Sequence, residues 1–437
     1  MKKASIRPLL AVTAACLLPP ALHAQTTLQS PGGVLGESAA QPAGQPMSTP
    51  MGQSMDIPMS PAASISQPFP PVSTNFDERD GLRFRALAGI ERDDNVTRTS
   101  VGKISDTITS YGVGLRYSKR LSQQQFVVDA EVDRFDFDEL GVDYNTVNYS
   151  AAWLWRFGNR LEGIARADRR QFRDVTTSGV IPVGTVNRRT ERNELVEGGY
   201  RLGAAWRALA GLQHTATSSS DPNSWDGNLN MTSVRVGGAW EFASGSSITA
   251  RYRRGEGDYD NSPVTSDFKD NEIEGLVRWV FSPKTTIDAR LAHLEREHDG
   301  APARDFDGLV GSLSATWDAT AKTRVIVGYA RDLGSYLFGA SGHQSSDRWY
   351  ITPVWRVTEA TSVNLRYEHE TRNWEDVTGS IDAGRRDRFN ILAAGVEWQA
   401  FRSVSIGAQY RNERRSSSLP FFNYRANVIG LTAKLTI

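Results

Sequence analysis

The sequence predicts an all-β chain: a transmembrane, antiparallel up-and-down β-barrel of about 18 strands, with 16 as the alternative count, behind a disordered N-terminal tail. Three observations carry this. Apolar and polar residues alternate with period two in segment after segment between Gly81 and Ile437, the pattern of strands with one apolar and one polar face. Tryptophans recur just before short turns and on the apolar parity. The N-terminus carries the pattern of an export signal.

That signal occupies residues 1–24: Lys2, Lys3 and Arg7 are its positive region, Leu9 to Leu18 its apolar run, and Ala-Leu-His-Ala ends at a cleavage position after Ala24. Cys16, the single cysteine, lies inside it, so the exported chain has no disulfide or thiolate metal site. Thr13-Ala14-Ala15-Cys16 imitates a lipoprotein box, but cleavage there leaves too short an apolar run after Arg7. Residues 25–77 shift to Pro, Gly, Ser, Gln and Ala, a composition that cannot bury enough apolar surface to offset its ordering entropy. They read as a periplasmic tail. Met47, Met51, Met55 and Met59 recur there at every fourth position. Thioethers suit Cu(I), so copper capture is the chemically specific reading and a degenerate linker repeat the plainer one. No metal site and no cofactor is expected.

Residues 78–437 form the barrel. A chain of 437 residues exceeds one ordinary compact domain, a limit that a closed ring of strands escapes because no single solid core has to grow. Leu82, Phe84, Ala86, Ala88 and Ile90 alternate with polar or small residues in the first strand, and Ile429, Leu431, Ala433, Leu435 and Ile437 in the last. Short connections fall near Ser122, Gly158, Ala204, Gly245, Pro283, Ala319, Glu359 and Phe401. Long polar ones fall near Ser100, Val183, Pro222, Pro263, Gly300, Ser341, Gly379 and Ser417. Short turns face the periplasm in outer-membrane barrels and long loops face outside. Trp155, Trp240, Trp279, Trp317, Trp355 and Trp398 then form a periplasmic aromatic girdle, where amphipathic indoles settle. Outer-membrane lipid of a Gram-negative cell is the expected partner of the apolar face.

The other parity collects charge: Asp129, Glu131 and Asp133; Arg166, Asp168 and Arg170; Arg251 and Arg253; Glu272, Glu274 and Arg278; Asp288 and Arg290; Arg366, Glu368, Glu370 and Arg372. Facing lipid, each Arg would cost about 2–4 kcal/mol at the midplane, so these residues line a wet lumen. They either hold the wall in salt bridges or form a hydrogen-bonding track for a hydroxyl-rich polymer. The 50 basic and 50 acidic residues cancel, which leaves no electrostatic case for nucleic acid. His214, His293, His298, His343 and His369 are scattered, with no metal spacing and no nucleophile motif around them. No enzyme is expected, and no catalytic residue is named.

The strand sequences also resemble a known group. Gly89-Ile90-Glu91-Arg92-Asp93-Asp94-Asn95-Val96, Ser118-Lys119-Arg120, Phe126-Val127-Val128-Asp129-Ala130, and Asp143-Tyr144-Asn145 leading to Ala151-Ala152-Trp153-Leu154-Trp155 and Gly158-Asn159-Arg160-Leu161 are similar to EpsL-type exopolysaccharide biosynthesis proteins. These sit within a broader group of outer-membrane β-barrel porins. The resemblance implies an exit channel for exopolysaccharide, working with a periplasmic polysaccharide-export protein. A general or substrate-specific diffusion porin is the alternative, and a copper-handling barrel a third reading.

Overall fold

A computed structural model describes residues 80–173, 187–220, 228–260, 267–335 and 341–437. The signal segment 1–24, the tail 25–77 with its four methionines, and the connections near Val183, Pro222 and Pro263 lie outside these residues. The strands are β1 (Gly81–Asp93), β2 (Asp106–Leu121), β3 (Gln124–Phe137), β4 (Asp143–Phe157), β5 (Leu161–Arg173) and β6 (Arg188–Arg201). There follow β7 (Trp206–Ser219), β8 (Leu229–Glu241), β9 (Ser247–Tyr259), β10 (Asp267–Ser282), β11 (Thr285–His298) and β12 (Phe306–Asp318). The ring is completed by β13 (Thr323–Ser335), β14 (His343–Arg356), β15 (Thr361–Glu375), β16 (Arg386–Phe401), β17 (Val404–Ser417) and β18 (Tyr424–Thr436).

Every strand pairs antiparallel with its sequence neighbours, and β1 pairs with β18 from Arg85↔Thr436 to Asp93↔Val428. Ile437 extends that seam by exchanging backbone hydrogen bonds with Phe84. The 18-strand sheet is therefore closed and leaves no edge. Closure matters because hydrocarbon offers no partner to an unpaired backbone group, so only helices and closed barrels span it. No helix among the described residues is long and apolar enough to do so.

The pleat sorts the side chains as the period-two pattern predicts. Leu82, Val113, Leu291, Leu313, Leu431 and their equivalents stand exposed on the outer face of all but a few strands, a contiguous apolar band that a water-facing monomer would not carry. Pro353 sits inside β14, an unusual place for a residue that cannot donate to the ladder. The β14–β15 pairing is interrupted there, between Ile351↔Tyr367 and Val354↔Asn364, and resumes in the same register.

Connections at one end are short, such as 122–123, 283–284 and 402–403; those at the other run longer, such as 94–105 and 376–385. One connection was not among those read from the sequence. The β3–β4 connection at the long-loop end, 138–142, is only five residues, too short and apolar at Leu140 and Val142 to stand out as a polar loop in the sequence. Instead, Leu140 and Val142 pack against the cluster of Val96, Ile108 and Phe137.

Candidate functional site

The lumen wall is built by the inward parity, and all seventeen charged residues named from the sequence lie on it, opposite the exposed apolar face. The longest assembly runs across β6 to β11. Glu197 forms an ion pair with Arg235, whose Nε lies 2.9 Å away, and accepts a hydrogen bond from Arg251 Nη1 at 3.3 Å. Arg251 Nε reaches Glu274 at 2.6 Å, and Glu274 takes Arg290 Nε at 2.8 Å. Glu272 then pairs with both Arg290 and Arg253. The result is an alternating belt of guanidinium and carboxylate.

Two glycines make room for it. A Cβ on Gly211 of β7 would lie 3.1 Å from Arg235 Nε, and one on Gly237 of β8 would lie 2.6 Å from Arg251 Cγ. Each arginine thus lies across the glycine of the preceding strand to reach its carboxylate. Buried charges persist only when paired, and Arg235 and Glu197 are almost fully buried. Neither was found from the sequence, because each stands on its strand without a charged neighbour two residues away that would mark a cluster.

A second cluster joins β1 to β3. Asp129 binds Arg85 through two oxygens (2.6 and 3.0 Å) and Arg116 at 3.2 Å, while Arg85 also lies 3.3 Å from Glu131. Asp133 accepts the Thr146 hydroxyl at 3.3 Å. Arg166 pairs with Asp168, Arg366 with Glu368, Arg372 with Glu370 and, at 3.9 Å, Arg278 with Asp288. The guanidiniums of Arg366 and Arg170 lie over Tyr350 and Phe172, at 4.4 and 5.6 Å from the ring centroids. The seventeen residues do not converge on one point; they are spread around the wall.

At the long-loop end the connection 94–105 is tied into the barrel. Arg98, with the left-handed φ of 54°, bridges Asp93 of β1 (2.7 Å) and Glu413 of β17 (2.7 Å). Burial works against its charge, but Glu413 and Asp93 outweigh that and raise its pKa above the ordinary arginine value. Asn95 clasps the loop, donating to the carbonyls of Thr99 and Arg425 and accepting the Thr99 amide. From β5, Arg173 donates to the Val96 carbonyl at 2.6 Å. Across the ring, Arg304 is fully buried beside Tyr259, and Arg296 binds Asp270 through two nitrogens while lying 4.0 Å over Phe268. His298 and His343 flank Phe306 there. This rim was not legible in advance, since it depends on residues hundreds of positions apart.

On the outer face, Trp155, Trp240, Trp279, Trp317, Trp355 and Trp398 share the apolar parity and sit near the short turns. Trp153 and Trp206 join them, Trp206 meeting Trp240 edge-on at 4.5 Å. Trp155 is the most covered, lying across Gly163. His214, His293 and His369 are on this face too, His214 bonded to Thr232 and His369 to Asn390. Among the described residues no three His, Cys, Asp or Glu side chains are grouped to hold a metal ion.

A closed ring with an apolar outer band, outward tryptophans near its short turns and a charged interior defines a porin-like β-barrel of the Gram-negative outer membrane. The model of the family described as "Putative beta-barrel porin 2" matches residues 275–437, from within β10 to the C-terminus. Among solved structures, the outer-membrane protein OpdK of Pseudomonas aeruginosa is 12% identical over 82% of this chain and 99% of its own, with a TM-score of 0.45. OccK2 (OpdF) of the same organism, in complex with glucuronate, is 12% identical over 82% and 98%, with 0.47. OccAB3 of Acinetobacter baumannii is 9% identical over 82% and 98%, with 0.45. At these identities and scores no residue role passes from them to this chain. No curated protein matches the sequence.

Proposed function

We propose that this chain is a diffusion porin that admits small polar solutes, with selectivity set by its charged wall and its long-loop mouth. The observation that carries this reading is the belt from Glu197 to Glu272, in which every charge is answered by its neighbour. Such a wall offers N–H donors and carboxylate acceptors in alternation to a passing solute. Having no dominant sign, it avoids the deep well that would trap an ion; passage requires binding weak enough to release. The 94–105 connection, anchored inside the rim, sets the size of what enters.

The test is reconstitution. Folded protein in planar bilayers should give steady conductance to small ions, and proteoliposomes should take up small sugars and organic acids faster than oligosaccharides. Absence of both, in protein whose barrel is intact by heat-modifiable mobility, would sink the reading. Exopolysaccharide exit, with a periplasmic export protein as partner, draws its support from the resemblance of the first strands to the EpsL-type group. It makes the opposite prediction: deletion of the gene abolishes surface polysaccharide and leaves small-solute uptake intact.

A further inference from the structure

The outer face carries one feature that a solute channel does not require. At the long-loop ends of β16, β17, β18 and β1, the exposed side chains on the lipid-facing parity include Arg388, Arg414, Arg425 and Arg92, with Arg386 above Arg388 bonded to Asn373. Arg414 and Arg425 are direct cross-strand partners. Among the described residues none of the four has a carboxylate partner; Arg92 donates to Thr107. Two other outer-face arginines near this level are neutralised, Arg134 by Asp136 and Asp143 and Arg331 by Asp347, while Arg169 and Arg192 of β5 and β6 face each other as an isolated pair. One carboxylate lies among them, Asp94, which accepts from the amide and side chain of Asn427; further negative charge gathers elsewhere on the ring, at the exposed Glu295, Glu297 and Asp307 of β11 and β12. Like charges set side by side repel, and the single carboxylate of Asp94 does not balance four guanidiniums on adjacent strands, so the face calls for an external anion.

Their height says which one. Arg388 is ten residues along β16 from Trp398, which at about 3.3 Å per residue and a tilt near 40° is a rise of roughly 25 Å. That is about the height of a barrel's apolar band, so the arginines lie at the interface opposite the tryptophans. Beneath them on the same face come Asn390, Asn412 and Asn427, the last two bonded to each other, and then the exposed apolar residues Leu392, Ile429, Leu431 and Ile90. The anion must therefore be attached to acyl chains. Four strands at about 4.8 Å spacing make the patch some 14 Å wide, broader than one phosphate and suited to a headgroup bearing two.

We propose that the β16–β17–β18–β1 face is a binding site for a doubly phosphorylated glycolipid of the outer leaflet, with the four arginines gripping the phosphates and the apolar residues below packing its chains. Guanidinium forks match phosphate oxygens in charge and in paired geometry.

Delipidated full-length barrel would be titrated with diphosphoryl lipid A by native mass spectrometry, beside the dephosphorylated lipid with the same chains and inorganic phosphate. The expected result is at least tenfold weaker retention of the dephosphorylated lipid, and a similar loss in a variant combining Arg92→Gln, Arg388→Gln, Arg414→Gln and Arg425→Gln. Replacing the paired Arg134 and Arg331 by Gln should leave binding unchanged. Fold is checked by heat-modifiable mobility, and the fourfold Arg→Lys variant should keep most of the binding. Equal retention of both lipids, or of both lipid and variant, overturns the proposal. So does full displacement by millimolar inorganic phosphate, which would mark a free-anion site. Concentration-dependent dimers lost in the Gln variant without discrimination between lipids would assign the face to a second copy instead.

Discussion

At the scale of the residue, the lumen is held by charges that cannot be removed singly. Glu197 lies between Arg235 and Arg251, all three nearly buried. Removing one partner of a buried pair leaves an uncompensated charge and costs about 3–5 kcal/mol, whereas replacing the whole pair by apolar side chains is often neutral. Glu197→Gln should therefore lower the urea midpoint of the refolded barrel markedly. Glu197→Leu with Arg235→Met should recover much of the loss, although Arg251 retains its bond to Glu274. A double mutant no more stable than the single would show that the belt does not act through pairing. The inward parity of these residues was readable from alternation alone. Their partners were not: Glu197 and Arg251 are on strands three apart in the ring, and which arginine reaches which carboxylate depends on register and on the space left by Gly211 and Gly237.

At the scale of the element, the 94–105 connection is the part of the barrel that a sequence describes least well. Its residues look like any polar loop, yet Val96, Thr97 and Arg98 are buried, and its anchor combines β1, β17 and a carbonyl of β18. Arg98→Ala removes the bridge between Asp93 and Glu413, leaves each carboxylate to its own strand-borne arginine, Arg173 at 3.8 Å and Arg411 at 2.8 Å, and so frees the loop from β17. Single-channel recordings should show conductance above that of the unaltered protein, with more frequent brief transitions. An unchanged trace would mean that the loop does not narrow the path. The opposite case is the set of tryptophans before the short turns, whose outward face was legible from alternation alone; their expected role is an interfacial girdle, where an amphipathic side chain settles. Only the additional members Trp153 and Trp206 needed the structure.

At the scale of the whole molecule, the ring has two distinct ends, and their assignment to cell compartments follows from loop length. Ser341 is a natural choice for a labelling site from its place in a long connection, but its hydroxyl is bonded to Thr378 and the residue is buried. Val101 is 84% exposed and serves better. A cysteine at Val101 should react with an impermeant thiol reagent on intact cells. One at Lys284, in the β10–β11 turn, should react only once the outer membrane is opened. The reverse result would invert the barrel and move the arginine face to the inner leaflet.

The sequence by itself determined that this chain is a barrel of about 18 strands and which face its alternating residues take. Both follow from one local rule: successive side chains of a strand point to opposite sides, and a membrane tolerates only one kind on its side. The tertiary structure alone decided where the charged belt is continuous, which loop is drawn into the mouth, and which arginines remain without a carboxylate. Those depend on neighbours brought together by closure, such as Arg98 beside Glu413, 315 positions away, and no periodicity encodes a contact of that range.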